Sequence, residues 1–258
     1  MSGTVLAVYK PEGLTPLQLI KSIKKDFSEL RDEKIGYAGR LDPMASGVML
    51  LMVGDENKNR KKYLGLDKEY EFEVLLGISS DSYDLLGIPS LGKNKFSLKK
   101  LKDYVNNLEG KITQTYPPFS GKTINGKKMF ELAKSGELKS MVLPKISGEI
   151  KDVELIDVYD LSFGKVLKKV QTILPKIDGN FRQEEILECW ENLVTLKKKK
   201  HSVARIKLAC TSGIFVRSIA YDMGIKLSCG ALTYSINRTR VENVLLEDCY
   251  YLKENIKK

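Results

Sequence analysis

GYAGRLDPMASGVMLL, residues 36–51, changes character halfway along. Its first half is built of turn formers around one acid: Asp42 lies among Gly36, Gly39, Pro43 and Gly47. From Val48 to Val53 the chain is wholly apolar, the pattern of a fully buried strand. A carboxylate is thus expected on a rigid turn at the lip of a buried strand. Spacing alone also allows a plain turn or helix cap at Asp42.

Outward from this segment, secondary structure alternates without regular βαβ spacing. Residues 3–9 read as a short strand, and Thr15 opens a helix with Leu17, Ile20, Ile23, Phe27 and Leu30 at helical intervals. The stretch KEYEFEVLLGI from Lys68 to Ile78 puts Tyr70, Phe72, Val74 and Leu76 on one face and Glu69, Glu71 and Glu73 on the other, a half-buried antiparallel strand. Ser97 to Leu108 reads as a second helix stopped by Gly110, and residues 149–163 as one or two strands. Residues 165–200 look like a basic helical insertion containing Ile186, Trp190 and Leu193 or Val194, and ending in four lysines. Val203 to Cys210 is again a strand, followed by a helix through Ile219, Met223 and Leu227, and a last strand TYSINRTRV. The predicted class is α+β, a mixed, mainly antiparallel sheet flanked by helices. Residues 1–258 show no repeat and no Ser/Gly-rich linker, which points to one domain with peripheral insertions.

Composition narrows the chemistry. Forty-three Lys and Arg against 33 Asp and Glu give a net charge of +10, so the surface attracts polyanions. Nucleic acid fits better than membrane, because no basic helix has a wide apolar face and no apolar run approaches bilayer length. Cys189, Cys210, Cys229 and Cys249 form no CxxC pair, and the single histidine, His201, sits beside the lysine run 197–200 and reads as solvated. Free thiols in a cytoplasmic protein, with no metal site, are therefore expected. There is no GxxxxGK[ST] or GxGxxG loop, so no nucleotide cofactor is implied. Carboxylates, arginines and tyrosines remain, a set suited to acid–base or covalent work without a cofactor.

The segment GRLDPMASGVMLL resembles the signature of pseudouridine synthases, in particular the tRNA pseudouridine-55 synthase (TruB) family. VYKPEGLTPLQLIKSIKK resembles that family's N-terminal strand, Lys-Pro-x-Gly turn and first helix, and Lys68-Glu69-Tyr70 its Lys-x-Tyr motif. YPPFSGKTINGKKMFELAKSG resembles its RNA-gripping thumb, an insertion spanning about 116–146. CTSGIFVRSIAYDMGIKLSCGALTYSINRTRV resembles its Arg-Ser helix with the Cys-Gly-Ala and Arg-Thr-Arg tail. The resemblance implies a pseudouridine synthase-type catalytic domain that isomerises a T-loop uridine of tRNA by base flipping. In it Asp42 attacks the target nucleoside, Tyr70 packs on the flipped uracil and assists removal of the C5 proton, and Arg217 pairs with Asp42. A guanidinium within reach favours the carboxylate anion, and a tyrosine offers both a stacking face and a phenol that can relay a proton. Without the motif, Arg217 would read as a surface arginine and Tyr70 as core.

For RNA contact, Lys122, Lys127 and Lys128 in the thumb, with Arg238 and Arg240, are candidate phosphate partners, and Lys68 contacts phosphate or fixes local geometry. Where the family motif opens Gly-His, this chain has Gly36-Tyr37, and Tyr37 is a candidate to stack on a base or wedge into the loop. No C-terminal domain of the PUA type is expected, and the basic segment 165–200 is the candidate substitute. The expected partner is the T-arm of tRNA, with no obligate protein partner. A catalytically silent RNA-binding protein or tRNA-folding chaperone on the same scaffold is the competing reading. Joint retention of Asp42, Tyr70 and Arg217 argues against it, since binding alone does not need all three.

Overall fold

The computed structural model describes residues 3–93, 95–196 and 199–253. In chain order its strands are β1 (Thr4–Lys10), β2 (Ile35–Ala38), β3 (Ala45–Val53), β4 (Lys68–Leu76), β5 (Ile78–Ser80), β6 (Pro89–Leu91), β7 (Gly110–Thr115), β8 (Thr123–Ile124), β9 (Lys127–Lys128), β10 (Lys145–Ser162), β11 (Lys200–Cys210), β12 (Ala231–Val241) and β13 (Val244–Leu245). Interleaved helices are α1 (Pro16–Asp26), α2 (Arg60–Leu64), α3 (Leu98–Asn106), α4 (Met129–Lys134), α5 (Phe163–Ile173), α6 (Gln183–Glu191) and α7 (Val216–Lys226). The main sheet runs β1-β3-β12-β4-β11-β10-β7, with β2 added to β3 and β13 to β12. This is the mixed, mainly antiparallel sheet expected: among the named strands of the described residues only β3 and β12 pair in parallel, over Ala45–Gly47 and Ile236–Arg238.

That parallel contact anchors the turn carrying Asp42. Gly47 has φ +115°, and a Cβ there would lie 2.2 Å from the carbonyl oxygen of Arg238. Only glycine allows the two backbones to meet at this point. Gly47→Ala is expected to cost about 2–3 kcal/mol, read as a fall in unfolding free energy in urea; a loss under ~0.5 kcal/mol would show that the strands need no such approach.

Alternation in β4 works as read from the sequence. Tyr70, Phe72, Val74 and Leu76 are buried in the main core, while Glu69 and Glu73 on the reverse face meet Lys207 at 3.6 Å and Arg205 at 3.3 Å. Helix α1 starts where expected, with a capping box between Thr15 and Gln18 and Pro16 in its first turn. Its buried face is Leu19, Ile20 and Ile23, whereas Leu17 points to solvent. The helix stops at Asp26, so Phe27 packs on Tyr250 from the cap and Leu30 is buried from a separate short turn. Residues expected to give one or two strands at 149–163 belong to the single long β10, which pairs first with β7 and then with β11 across register shifts near Ile150/Asp152 and Leu155/Asp157.

The 165–200 segment is not peripheral. Helix α5 begins at Phe163, and Phe163, Val166, Leu167, Val170 and Trp190 all join the main core. The indole Nε1 of Trp190 donates to the Gly87 carbonyl at 3.1 Å. His201 is a correction: it is 3 % exposed, with Nδ1 3.3 Å from the Leu76 carbonyl and its ring beside Phe163. Strand β11 starts earlier than expected, at Lys200, so the inward face of its alternation includes His201. Burial lowers its pKa. Lys197 and Lys198 of the lysine run lie outside the described residues.

The segment 116–146 has its own small core of Met129, Leu132 and Leu138, backed by Tyr116. Its β8–β9 hairpin turns on Asn125 and Gly126, both at positive φ, the pairing that a two-residue hairpin turn demands. Among the described residues no helix is long and apolar enough to cross a membrane.

Candidate active site

The turn holding Asp42 is fixed from beneath by cations that bind backbone. The Asp42 carbonyl accepts from the Ala45 amide (3.0 Å), and the Pro43 carbonyl from the Gly13 amide (2.8 Å). Lys10, completely buried, donates from Nζ to the carbonyls of Ala45 (2.6 Å) and Pro11 (2.9 Å). Burial lowers its pKa to about 7, with the Asp42 and Glu12 charges pulling it back upward. Arg238 does similar work from the other side: Nε donates to Val48 (2.7 Å) and Nη2 to Gly39 (3.0 Å). At 1 % exposure Arg238 is not the surface phosphate partner read from the sequence. Strand β12 is sandwiched between β3 and β4, and Arg238 sits at its parallel contact with Gly47. Its guanidinium is thereby bonded to the carbonyls of Gly39 and of Val48 in β3.

Arg217, the second residue of α7, brings the acid its counter-charge. Its Nε lies 2.8 Å from Asp42 Oδ2, with the N–H aimed off the hydrogen-bond axis. Nη1 donates to the Ser82 carbonyl (2.8 Å) and sits 3.5 Å from Asp84 Oδ2, and Nη2 donates to the Phe119 carbonyl (3.3 Å). The guanidinium is 4 % exposed and Asp42 31 %, so the pair has one wet side, that of the acid. Buried Gln114 clamps the N-terminus of α7 by bonding both the amide (2.9 Å) and the carbonyl (3.2 Å) of Phe215. Ser218 Oγ ties the same turn to the Thr115 carbonyl at 2.9 Å. The Arg-Ser pair thus supplies one charge and one clamp.

Asp42, Tyr70, Lys68, Arg217 and Arg238 line one cavity of about 220 Å³. That is below the range of about 300–1,000 Å³ for drug-sized ligand sites and of the order of one nucleobase. The segment 116–146 closes one wall through Ser120 and Gly121, with Arg40 reaching the latter. Tyr70 is buried, and burial raises its pKa against the opposing pull of Arg238. Such a phenol is neutral at physiological pH; it takes a proton only as it passes its own on. Lys68 Nζ donates to the carbonyls of Leu64 (3.0 Å) and Leu66. Burial, reinforced by the Arg238 charge, lowers its pKa to about 8.

Asp84 went unread in the sequence. In DSYDLL it is one turn former among several, with no periodicity to mark it. Its Oδ1 accepts from Ser82 Oγ (2.6 Å) and the Leu86 amide (2.9 Å), after Tyr83 at φ +67° stacked on Tyr221. Burial raises its pKa from 3.8 to about 6, although Arg217 pulls it down. Between those two values the folded chain holds a proton that the unfolded chain releases, so this group makes stability fall as pH rises. The unfolding free energy of wild type relative to Asp84→Asn is expected to fall from pH 4 to 6, at up to about 1.4 kcal/mol per pH unit. Urea titrations at several pH values check this; a pH-independent difference would show that Asp84 titrates normally.

The remaining candidates lie on the rim. Tyr37, half-buried on β2, is held by Arg40 Nη2 to its hydroxyl (3.3 Å) and Arg60 Nε to its carbonyl (3.0 Å), with the Arg60 guanidinium 5.8 Å from the ring centroid. Lys122, Lys127 and Lys128 are exposed on the 116–146 segment; Lys122 lies over Tyr116 and Lys127 pairs with Glu137 at 3.1 Å. Arg240 is half-exposed, 3.6 Å from Glu69.

Residues 27–173 match the family described as TruB family pseudouridylate synthase, N-terminal domain. The tRNA pseudouridine synthase B of Protochlamydia amoebophila is 34% identical over 95% of this chain and 76% of its own length. That of Aquifex aeolicus is 29% identical over 98% of this chain and 73% of its own. The fold is shared with a chain of the crystal structure of a Cbf5-Nop10-Gar1 complex, at TM-score 0.58 and 18% identity. That match covers 96% of this chain but only 52% of the solved one.

Proposed function

The chain belongs to the TruB family of pseudouridylate synthases, and we propose that it isomerises a T-loop uridine of tRNA, the one at position 55, to pseudouridine, with Asp42 as nucleophile. The observation that carries this is the Asp42–Arg217 contact of 2.8 Å at the wet mouth of a base-sized cavity that Tyr70 lines. Pseudouridine formation breaks the bond from N1 to C1′, turns the uracil and joins C5 to C1′. One proton leaves C5 and one arrives at N1, so atoms and electrons balance within the substrate.

Each residue has a task in that sequence. Arg217 holds the Asp42 carboxylate at the pocket mouth, where it meets the nucleoside. Tyr70 gives the flipped uracil a stacking face and a relay for the C5 proton. Lys10 and Arg238 hold the turn so that Asp42 does not have to be ordered by substrate. The thumb wall keeps the detached base from leaving. Tyr37 and the thumb lysines meet the surrounding loop, and Arg240 its backbone.

An unmodified tRNA transcript treated with the protein is expected to give a carbodiimide-dependent primer-extension stop at position 55. A transcript with cytidine there should give none. A stop elsewhere overturns the target, and tight binding with no stop anywhere favours the silent RNA-binding reading.

A further inference from the structure

Outside the active site, unpaired positive charge gathers on one face of α5. Lys165, Lys168, Lys169 and Thr172 recur at helical spacing, and with Lys176 just beyond the helix they line one open groove. The acid on that groove, Glu12, is already used, 2.8 Å from Lys169. Lys165, Lys168 and Lys176 are exposed, and among the described residues none of the three has an ion-pair partner. The opposite face of α5 is locked in the core through Phe163, Val166, Leu167 and Val170, so the lysines stand on a rigid base.

The groove is also mechanically joined to the active site. Glu12 precedes Gly13, whose amide bonds the Pro43 carbonyl next to Asp42. The Lys176 stem lies over Gly13, where a Cβ would come within 2.9 Å of its Cδ. Lys169 Nζ sits 4.4 Å above the ring of Tyr234, two residues before Ile236 of the catalytic cavity. At the other end, Gln18 at the start of α1 donates to the Lys176 carbonyl at 2.8 Å. The rest of the inserted segment is different: α6 carries Glu184, Glu185, Glu188 and Glu191. The basic character read across 165–200 is therefore concentrated on one helix face.

We infer that the Lys165/Lys168/Lys176 face of α5 is a second RNA-binding surface, which grips phosphates of the same tRNA whose uridine enters the Asp42 cavity. This rests on the tRNA isomerase reading for the identity of the RNA. Three ammonium groups along one helix face and the turn beyond it match a run of phosphates, and each contact made releases counterions.

The test compares wild type, the variant Lys165→Gln/Lys168→Gln/Lys176→Gln, and a control, Lys99→Gln/Lys100→Gln/Lys102→Gln, that removes equal charge from α3. Binding to unmodified tRNA transcript is measured from about 50 to 300 mM KCl, with melting temperatures confirming that all three are folded. In the α5 variant the slope of log affinity against log salt is expected to shrink by about three, roughly one per lysine, and KM to rise more than kcat falls. The control should keep the wild-type slope. Equal slopes in wild type and the α5 variant overturn the proposal, as do equal losses in the α5 and control variants. An unchanged tRNA slope with lost binding to polyglutamate would overturn it in favour of an acidic polypeptide. Should wild type form no pseudouridine while the α5 slope still falls, the catalytic reading fails and the RNA surface stands.

Discussion

Asp42→Asn is expected to abolish pseudouridine formation, by about 10⁴-fold or more in single-turnover rate, while leaving tRNA affinity within about threefold of wild type. The substitution preserves shape and removes charge. The turn itself is held through main-chain atoms, by Lys10 on Ala45, Gly13 on Pro43 and Arg238 on Gly39, none of which touches the Asp42 carboxylate. Arg217 retains the Ser82 and Phe119 carbonyls and Asp84 when Asp42 is neutralised. The fold should therefore lose no more than about 1 kcal/mol, the range of a half-exposed ion pair. An amide is neither nucleophile nor base at neutral pH, so any chemistry assigned to Asp42 must vanish with the charge. Carbodiimide primer extension under single-turnover conditions, paired with a binding titration, separates the two effects. Wild-type turnover in the variant would remove Asp42 from the mechanism.

The elements were legible where side-chain pattern and burial agree. The alternation of Tyr70 to Leu76 gave β4, and the apolar run after Asp42 gave β3, because one or both faces of those strands are dry. Asp42, Tyr70 and Arg217 come from three elements far apart in sequence, so their meeting could be expected only from a resemblance between ordered motifs. What stayed hidden was the destination of polar residues in strands. Arg238 and Arg240 lie two residues apart, yet one is sealed at the β3–β12 contact and the other half-exposed, since a register shift between Arg238 and Arg240 breaks the simple alternation of β12. His201 looked solvated beside lysines because the first residue of β11 is set by its partner β10, which periodicity within the lysine run cannot reveal. Asp84 depends on the irregular segment after β5, where neither period applies.

Arg217→Met should damage both stability and activity, where Asp42→Asn spares the fold. The guanidinium is the meeting point of two carboxylates and two carbonyls at 4 % exposure, and methionine replaces none of those bonds. Removing one partner of a buried ion pair costs about 3–5 kcal/mol, because the other charge is left uncompensated. That residual burden falls on Asp84, whose carboxyl burial already pushes up to about 6 and the Arg217 charge pulls back. Without the arginine Asp84 should stay protonated to higher pH, so the stability deficit of the variant should be smallest near pH 5 and grow toward neutrality. Arg217→Lys separates charge from geometry. A lysine restores one positive point but cannot reach Asp42, Asp84, Ser82 and Phe119 together, as the planar fork does. It should recover part of the stability and little of the rate, leaving kcat down by about 10³-fold or more. Urea unfolding at pH 5 and 7 with single-turnover rates for both variants would show this. A lysine variant with near-wild-type kcat would mean that Arg217 supplies only charge to Asp42, and that its fixed orientation between the two carboxylates has no catalytic consequence.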